Sequence, residues 1–221
     1  MENALIIGAS GGIGSAIART LQARGVATTG LSRRVDGLDV RNETSVAANL
    51  GAVEGPFDLI CIATGALEIA GARPEKTIRA VSARAMLDHF SVNTVGPALV
   101  LGHAARLLPR DRRAVCAVLS ARVGSIKDNR LGGWVSYRSA KAAVNQVVRC
   151  AAIELARTHK QAAVVSLHPG TVATQFTEKY LGRHPAVSPD EAAQNLLRVI
   201  DGLTPDQTGH FLDWSGVELP W

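Results

Sequence analysis

Aromatic side chains are scarce in this 221-residue chain: three Trp, two Tyr and four Phe amount to 4% of it. Any core must therefore be assembled from Ala, Val, Leu and Ile. Apolar residues at 47% and charged residues at 19% are enough for that, and they exclude an intrinsically disordered chain. Long hydrophobic runs are missing too. The purest, Ala114–Leu119, is far short of the roughly 18 residues a membrane-spanning helix needs. Met1-Glu2-Asn3 runs straight into Ala4–Ile7 without the basic start and cleavage site of a secretory signal. Cysteine is rare: Cys61, Cys116 and Cys150 are far apart, odd in number and set among apolar neighbours. That pattern fits reduced core thiols in the cytoplasm, not a disulfide framework or a metal site. Blocks of basic charge are also lacking. The formal charge is +5, but Arg33-Arg34 and Arg112-Arg113 are the only adjacent basic pairs, and no nucleic-acid-binding motif accompanies them. The expectation is a cytoplasmic protein with neither a membrane nor a nucleic acid as partner.

Glycine, by contrast, is abundant, with 21 residues. Short apolar runs alternate with helical patterns from end to end. The strand-like runs are Ala4–Ile7, Val26–Leu31, Leu38–Val40, Asp58–Ala63, Ala114–Ser120, Ala162–Leu167 and Gly209–Asp213. Most are apolar on both faces, as parallel strands covered by helices are. Helical stretches include Ile13–Arg24 before Gly25, Ser136–Arg157, and one opened by Ser188-Pro189-Asp190-Glu191, with an N-cap serine and a proline at the first helical position. The chain reads as one α/β domain over residues 1–221. It is expected to be a Rossmann-type, doubly wound sheet of about seven mainly parallel strands, with ligands at the strands' C-terminal ends. Only Ser32–Gly37 separates the second and third expected strands, too few residues for a helical crossover, so that crossover is expected to have lost its helix.

The first strand runs into Gly8-Ala9-Ser10-Gly11-Gly12-Ile13-Gly14 and then a helix. Glycines at such a junction allow a tight turn and a close approach of backbone to a pyrophosphate, which the helix N-terminus attracts. The spacing G-x-x-x-G-x-G differs from the commoner G-x-G-x-x-G dinucleotide fingerprint. The second strand ends in Leu31-Ser32-Arg33-Arg34. An acid there would accept bonds from the 2′-hydroxyl of NAD; an arginine suits a 2′-phosphate. The expected cofactor is NADP(H) in preference to NAD(H), with Ser32 and Arg33 at the 2′-phosphate. Tyr137 and Lys141 lie four apart at the start of a helix, and so on one face. An ammonium beside a phenol favours phenolate, the route by which a tyrosine becomes a general acid–base near neutrality.

Gly8-x-x-x-Gly12-x-Gly14, Tyr137-x-x-x-Lys141 and Pro169-Gly170-Thr171-Val172-Ala173-Thr174 together resemble the short-chain dehydrogenase/reductase family over nearly the whole chain. Gly124-Ser125-Ile126 through Gly132-Gly133-Trp134 is similar to its C-factor-like and carbonyl-reductase branch. The resemblance implies a catalytic Tyr137 that exchanges a proton with the substrate oxygen, and a Lys141 that also holds the nicotinamide ribose. It implies an Asn93 that supports a relay water, and Asp39-Val40 at the adenine. Ala63, Thr64 and Gly65 would border the cofactor where the family has Asn-Asn-Ala-Gly. Pro169, Gly170, Val172 and Thr174 would meet the nicotinamide end, with Gly8, Ser10, Gly12, Ile13 and Gly14 around the pyrophosphate. A homodimer or homotetramer, built on the helices around Met86–Leu108 and Ser136–Arg157, is the family's pattern.

The chain also departs from the family. The usual catalytic serine, three residues before Gly124, is Ala121. Ser120, Ser125 and water are the alternatives for its hydroxyl, although Ser120 in an extended strand points to the opposite face from Ala121. Ile7 replaces a usual threonine, and Gly11 stands where some NADP-dependent members carry a basic residue. The six histidines show no metal-ligand spacing, and His168 is expected to be a hydrogen-bonded structural imidazole. Trp214 and Trp221 either close the cleft or pack the last strand and tail. The short segment Gln175–Val187, with Phe176 and Tyr180 as its aromatics, suggests an open cleft and a small substrate. The expected activity is NADPH-dependent reduction of a small carbonyl compound, reversible as alcohol oxidation. The alternative is a non-catalytic NADP(H)-binding regulatory or interaction protein on the same fold.

Overall fold

The computed structural model describes residues 1–181 and 185–221. Its centre is a six-stranded, wholly parallel sheet in the order β2-β1-β3-β4-β5-β6. The strands are β1 (Asn3–Ile7), β2 (Ala27–Leu31), β3 (Leu59–Ile62), β4 (Ala114–Leu119), β5 (Ala162–His168) and β6 (Phe211–Asp213). The register sets Ile7 beside Leu31 and Ile62, Ile62 beside Val118, and Leu119 beside Leu167. The C-terminal ends of five strands thus come level, and the loops leaving them share one rim.

Both faces of the sheet are covered, which is why its strands read as unbroken apolar runs. On one face Ala4, Ile6, Cys61, Ala117 and Val165 pack against α1 (Gly12–Ala23) and α8 (Pro189–Gly202) through Ile17, Leu21, Leu196 and Ile200. On the other, Leu5, Ile7, Ile62, Cys116 and Val118 meet Leu50 of α3 (Glu43–Gly51), Val100 of α5 (Gly96–Leu101) and Val144 and Val148 of α7 (Val135–Leu155). Helix ends follow their local chemistry. Gly25 takes φ 78° just past α1, and Ser188 caps α8 by accepting from Glu191 N–H at 3.1 Å.

Two expectations are corrected here. Leu38–Val40 is not a strand, so the expected count of about seven comes out at six among the described residues. Leu38 and Val40 are buried because they plug the sheet's flank as a loop: the Asp39 N–H bonds the Ser45 hydroxyl, and Val40 lies against Gly96. Their apolar character reflects packing without pairing. The crossover from β2 has not lost its helix either. It carries the single turn α2 (Arg33–Asp36) and then α3, on the far side of the presumed strand. Cys61 and Cys116 are core thiols, but Cys150 is exposed on α7.

Asp58, just before β3, anchors the chain start. Its carboxylate accepts the N–H groups of Glu2 (2.6 Å) and Asn3 (3.2 Å) and the Nε of Arg112 (3.0 Å). Burial pushes its pKa up, but these donors outweigh burial and hold it below the usual 3.8. A depressed carboxylate stabilises the fold above the unfolded pKa, and that contribution is lost as pH falls through the folded one. Asp58→Ala should cost about 1–3 kcal/mol, or about 2–4 °C of Tm for each kcal/mol, with the gap to the parent narrowing in acid. Thermal melts at pH 7 and pH 3 check this.

Candidate active site

The glycine loop leaves β1 with Gly8 at φ 91°, fixed by its N–H to Leu31 O at 2.7 Å. A Cβ on Gly14 would stand 2.3 Å from Gly8 O, one on Gly12 would stand 2.6 Å from Thr174 Cγ2, and one on Gly8 2.9 Å from Ala63 O. The three glycines are thus needed for the loop, the Ala63 strand end and the Thr174 turn to close on one another. Gly30, in β2, belongs with them, since its Cβ would lie 2.7 Å from Ala9 Cβ. α1 starts on Gly11, which has no side chain to cap it, so the first-turn N–H groups near Ser10 and Ile13 face outward for an anion. Nearby, Thr64 Oγ1 is buried with no protein partner among the described residues. A bare helix N-terminus, a cradle only glycine permits and an orphaned buried hydroxyl fit a dinucleotide.

At the adenosine side the arrangement differs in detail from expectation. Ser32 caps α2, its hydroxyl accepting from Val35 N–H and donating to Asp36, while Asp36 also accepts the Ser32 N–H at 2.7 Å. An acid therefore does stand at the end of β2, folded back from four residues on. Arg33 and Arg34 project into solvent beside it. Asp39 is clamped by Arg41 through Nε at 2.9 Å and Nη2 at 2.6 Å, which holds its carboxyl down at about 2.

The other half of the site lies between two helices. α4 (Ala83–Phe90) continues through a π-helical turn, Ser91–Val95, into α5. Pro97 has no N–H to offer the Asn93 carbonyl, and the ladder widens here, with Gly96 N–H reaching back to Ser91 O. The turn aims Asn93 into the interior, fully buried. Its Oδ1 accepts Ala66 N–H at 3.0 Å, and its Nδ2 donates to Ala66 O at 2.9 Å. Lys141 is 3% exposed and donates to Leu119 O at 3.0 Å, at the end of β4. Gly65 sits between the two: a Cβ there would be 3.1 Å from Asn93 Oδ1 and 3.5 Å from Lys141 Nζ. Lys141 Nζ lies 5.9 Å from the centre of the Tyr137 ring. Asn93, Gly65, Lys141 and Tyr137 are thus brought together.

Burial dominates the electrostatics. It pushes the Tyr137 phenol above its usual range and pulls Lys141 down to about 8. The expected lowering of the phenol by the ammonium is therefore overridden, and Tyr137 rests as a neutral acid. Three rings surround it edge-on or tilted: His89 at 5.8 Å, Trp134 at 6.3 Å and Phe176 at 6.3 Å. Tyr180 packs on Trp134 and donates to Glu68 at 2.8 Å, while Lys179 pairs with Glu68 at 2.6 Å. Both aromatics of the short segment 175–187 pack on the rings of the site, Phe176 on Tyr137 and Tyr180 on Trp134. Gly182, Arg183 and His184 of that segment lie outside the described residues.

The serines do not converge on the phenol. Ser120 Oγ donates to Asn145 Oδ1 at 2.6 Å beneath α7, and Ser125 Oγ accepts the N–H of Asp128. Pro169 and Gly170 (φ 78°) turn below Trp214, whose ring would meet a Gly170 Cβ at 3.1 Å. Trp221 stacks on Phe211 and packs the tail on the last strand, whereas the exposed Trp214 lies against Gly170. Val172 pairs with Val187, placing Thr174 over the glycine loop. His168 is half-buried, with its Nδ1 enclosed and unpartnered among the described residues, contrary to the hydrogen-bonded role expected; desolvation pulls it down to about 4. Sequence reasoning passed over Glu75, whose carboxylate accepts the Ser136 N–H and hydroxyl and whose carbonyl accepts Trp134 N–H. It also treated His89 only as one of six scattered histidines. The His89–Asn93 spacing of four was the available signal for it.

The family model described as enoyl-(acyl carrier protein) reductase matches residues 27–210. The 1-hydroxy-2-glutathionyl-2-methyl-3-butene dehydrogenase of Rhodococcus sp. (strain AD45) is 31% identical over the full length of both chains. The C-signal protein of Myxococcus xanthus is 36% identical over 62% of this chain and 78% of its own. Among solved structures, the NADPH-bound carbonyl reductase from chicken fatty liver superposes with a TM-score of 0.85 at 22% identity, covering 100% of this chain and 94% of that one. An NADP-bound short-chain dehydrogenase/reductase structure from Burkholderia multivorans has a TM-score of 0.79 at 26% identity, covering 100% and 99%. With the glycine cradle, the Tyr137–Lys141 pair and the parallel sheet in place, these matches make the chain a member of the short-chain dehydrogenase/reductase family, an oxidoreductase acting on alcohol or carbonyl groups.

Proposed function

We propose that this oxidoreductase is an NADPH-dependent reductase of a small carbonyl compound, reversible as an alcohol dehydrogenase, with Tyr137 as its acid–base. The carrying observation is the buried pairing of Tyr137 and Lys141 beside Gly65 and Asn93, on the rim that also holds the glycine loop. When bound, the dinucleotide supplies the hydride. The chain's own groups do the rest. The α1 N-terminus and the glycine cradle hold the pyrophosphate, and Arg33 offers a fixed charge and paired donors to a 2′-phosphate. Lys141 positions the ribose. Tyr137, kept neutral by burial, gives its proton to the carbonyl oxygen as charge develops there. Trp134, Phe176 and Tyr180 give the substrate an apolar wall and shut out water. The Rhodococcus relative, a dehydrogenase of a 1-hydroxy-2-glutathionyl compound, supports the same reaction class.

Tyr137→Phe should lower turnover by about 10²–10⁴-fold while NADPH affinity stays within a few-fold. An aldehyde, ketone and quinone panel followed by NADPH oxidation measures the first, and fluorescence titration the second. Tight NADPH binding with no turnover on the panel by the parent protein would favour the non-catalytic reading instead. Arg33→Ala should weaken NADPH by about 10–100-fold and leave NADH nearly unchanged, because only the former carries the 2′-phosphate. Equal losses would overturn the assignment.

Lys141 sets the alkaline limit. With its pKa pulled down to about 8, the ammonium is present below that pH and lost above it. kcat/KM for reduction should therefore fall as pH rises past about 8. In Lys141→Arg, whose guanidinium stays charged, any residual activity should lose that break.

A further inference from the structure

Ala121 has no hydroxyl for the substrate oxygen, Ser120 gives its hydroxyl hydrogen to Asn145, and Ser125, beyond the turn, is held by the Asp128 N–H but keeps its own hydroxyl hydrogen. A carbonyl oxygen gaining charge beside a single donor is poorly stabilised; removing one such donor typically costs two to three orders of magnitude in rate. The ring wall around Tyr137 holds a replacement. Phe176 has no polar atom, whereas His89 has two ring nitrogens.

The two helices place His89 like a rung of a ladder. Asn93 and Lys141 meet at Gly65, and His89 and Tyr137 each lie four residues earlier on their own helices. One turn up, His89 accordingly stands against Tyr137, ring to ring at 5.8 Å. Its proton is also placed. Ala66 fixes the Asn93 amide by giving an N–H to Oδ1 and taking a bond from Nδ2, so the group that faces His89 Nδ1 at 3.3 Å is an N–H. Nδ1 is the acceptor, and the neutral ring carries its hydrogen on Nε2. His89 is 4% exposed. Burial outweighs the carboxylates facing it, Glu75 from the loop before α4 and Asp88 from its own helix, and keeps the ring neutral below its usual pKa. Asp88 is itself ion-paired to Arg84 at 2.8 Å. Past the ring, Arg73, Ser82 and these same charged residues line a solvent groove of about 420 Å³.

We propose that His89 is a further catalytic residue: its Nε2–H is the second hydrogen-bond donor to the substrate oxygen, beside the Tyr137 hydroxyl, in the role the family gives to serine. Apart from the hydride that a bound dinucleotide would supply, the step needs no other reactant. As the carbonyl carbon gains that hydride, the carbonyl π pair moves to oxygen and the Tyr137 O–H bond breaks to give that oxygen its proton, leaving a phenolate that solvent reprotonates. His89 keeps its own proton throughout and only shortens its hydrogen bond. A neutral imidazole held in one tautomer is suited to this, being a donor that never has to be recharged. The inference rests on the reductase reading given above.

The test is a set of variants assayed on whichever panel carbonyl the parent reduces: His89→Phe, Ala121→Ser, the two combined, and Trp134→Phe and Ser125→Ala, which remove the rival N–H and O–H donors. His89→Phe should lower kcat by about 10²–10³-fold with NADPH affinity unchanged. Adding Ala121→Ser should restore at least about tenfold of that loss, because a hydroxyl then stands where the family has one. A purely structural histidine would show no such rescue. The proposal is overturned if His89→Phe stays within about threefold of the parent, if serine at 121 restores nothing, or if Trp134→Phe or Ser125→Ala alone produces a comparable loss. An inactive Tyr137→Phe beside a fully active His89→Phe removes only the role of His89, whereas an active Tyr137→Phe removes the reductase reading itself.

Discussion

A charge inside the protein must find a partner, and the Lys141 ammonium is the one around which this site is arranged. Its hydrogen bond to Leu119 O ties α7 to the last residue of β4, and the ammonium can be buried only because Gly124 lets the following turn lie directly on the Lys141 backbone. A Cβ at Gly124 would come within 2.8 Å of Lys141 C. From that fixed point the rest follows in order. Tyr137 sits one turn above on α7, Asn93 approaches from the π-helical turn, and the Thr94 hydroxyl bonds Ala140 O, locking the two helices in register. Burying an ammonium in this way is costly in stability, the pattern of a group placed for chemistry.

Where the chain's pattern was a matter of pairing and covering, the fold could be read directly. β1, β3, β4 and β5 are apolar on both sides because both sides are covered, and their bounds were read within a residue or two. Leu38–Val40 was misread because burial alone does not distinguish a strand from a loop that plugs a flank; the difference lies in whether the backbone finds a neighbour. The true crossover helix, Glu43–Gly51, is weakly amphipathic, with Val46 and Leu50 as its buried residues, and so left little periodicity to detect.

The site was legible where chemistry depends on neighbours in sequence. The glycine loop and the Tyr137–Lys141 spacing announce themselves within seven and five residues. It was opaque where chemistry depends on neighbours in space. Glu75 reaches Ser136 across 61 residues, and Asp36 returns to Ser32 through the single turn α2, which Gly37 closes at φ 72°. The resting ionisation of Tyr137 could not be read either. Spacing told of the ammonium nearby, but not of the burial that outweighs it.

With no strand beyond β2 among the described residues, Ala27–Leu31 is an edge. Exposed strand edges invite another strand to add on. Here the edge is five residues long and carries Thr28, Thr29 and Gly30, so it is polar, short and poorly suited to serve as a template. The opposite edge is β6, only three residues long, and the chain's own tail bridges it at Leu212 and Glu218. The sheet thus ends on both sides in a short edge, and neither offers a long apolar template to which a strand of another molecule could add.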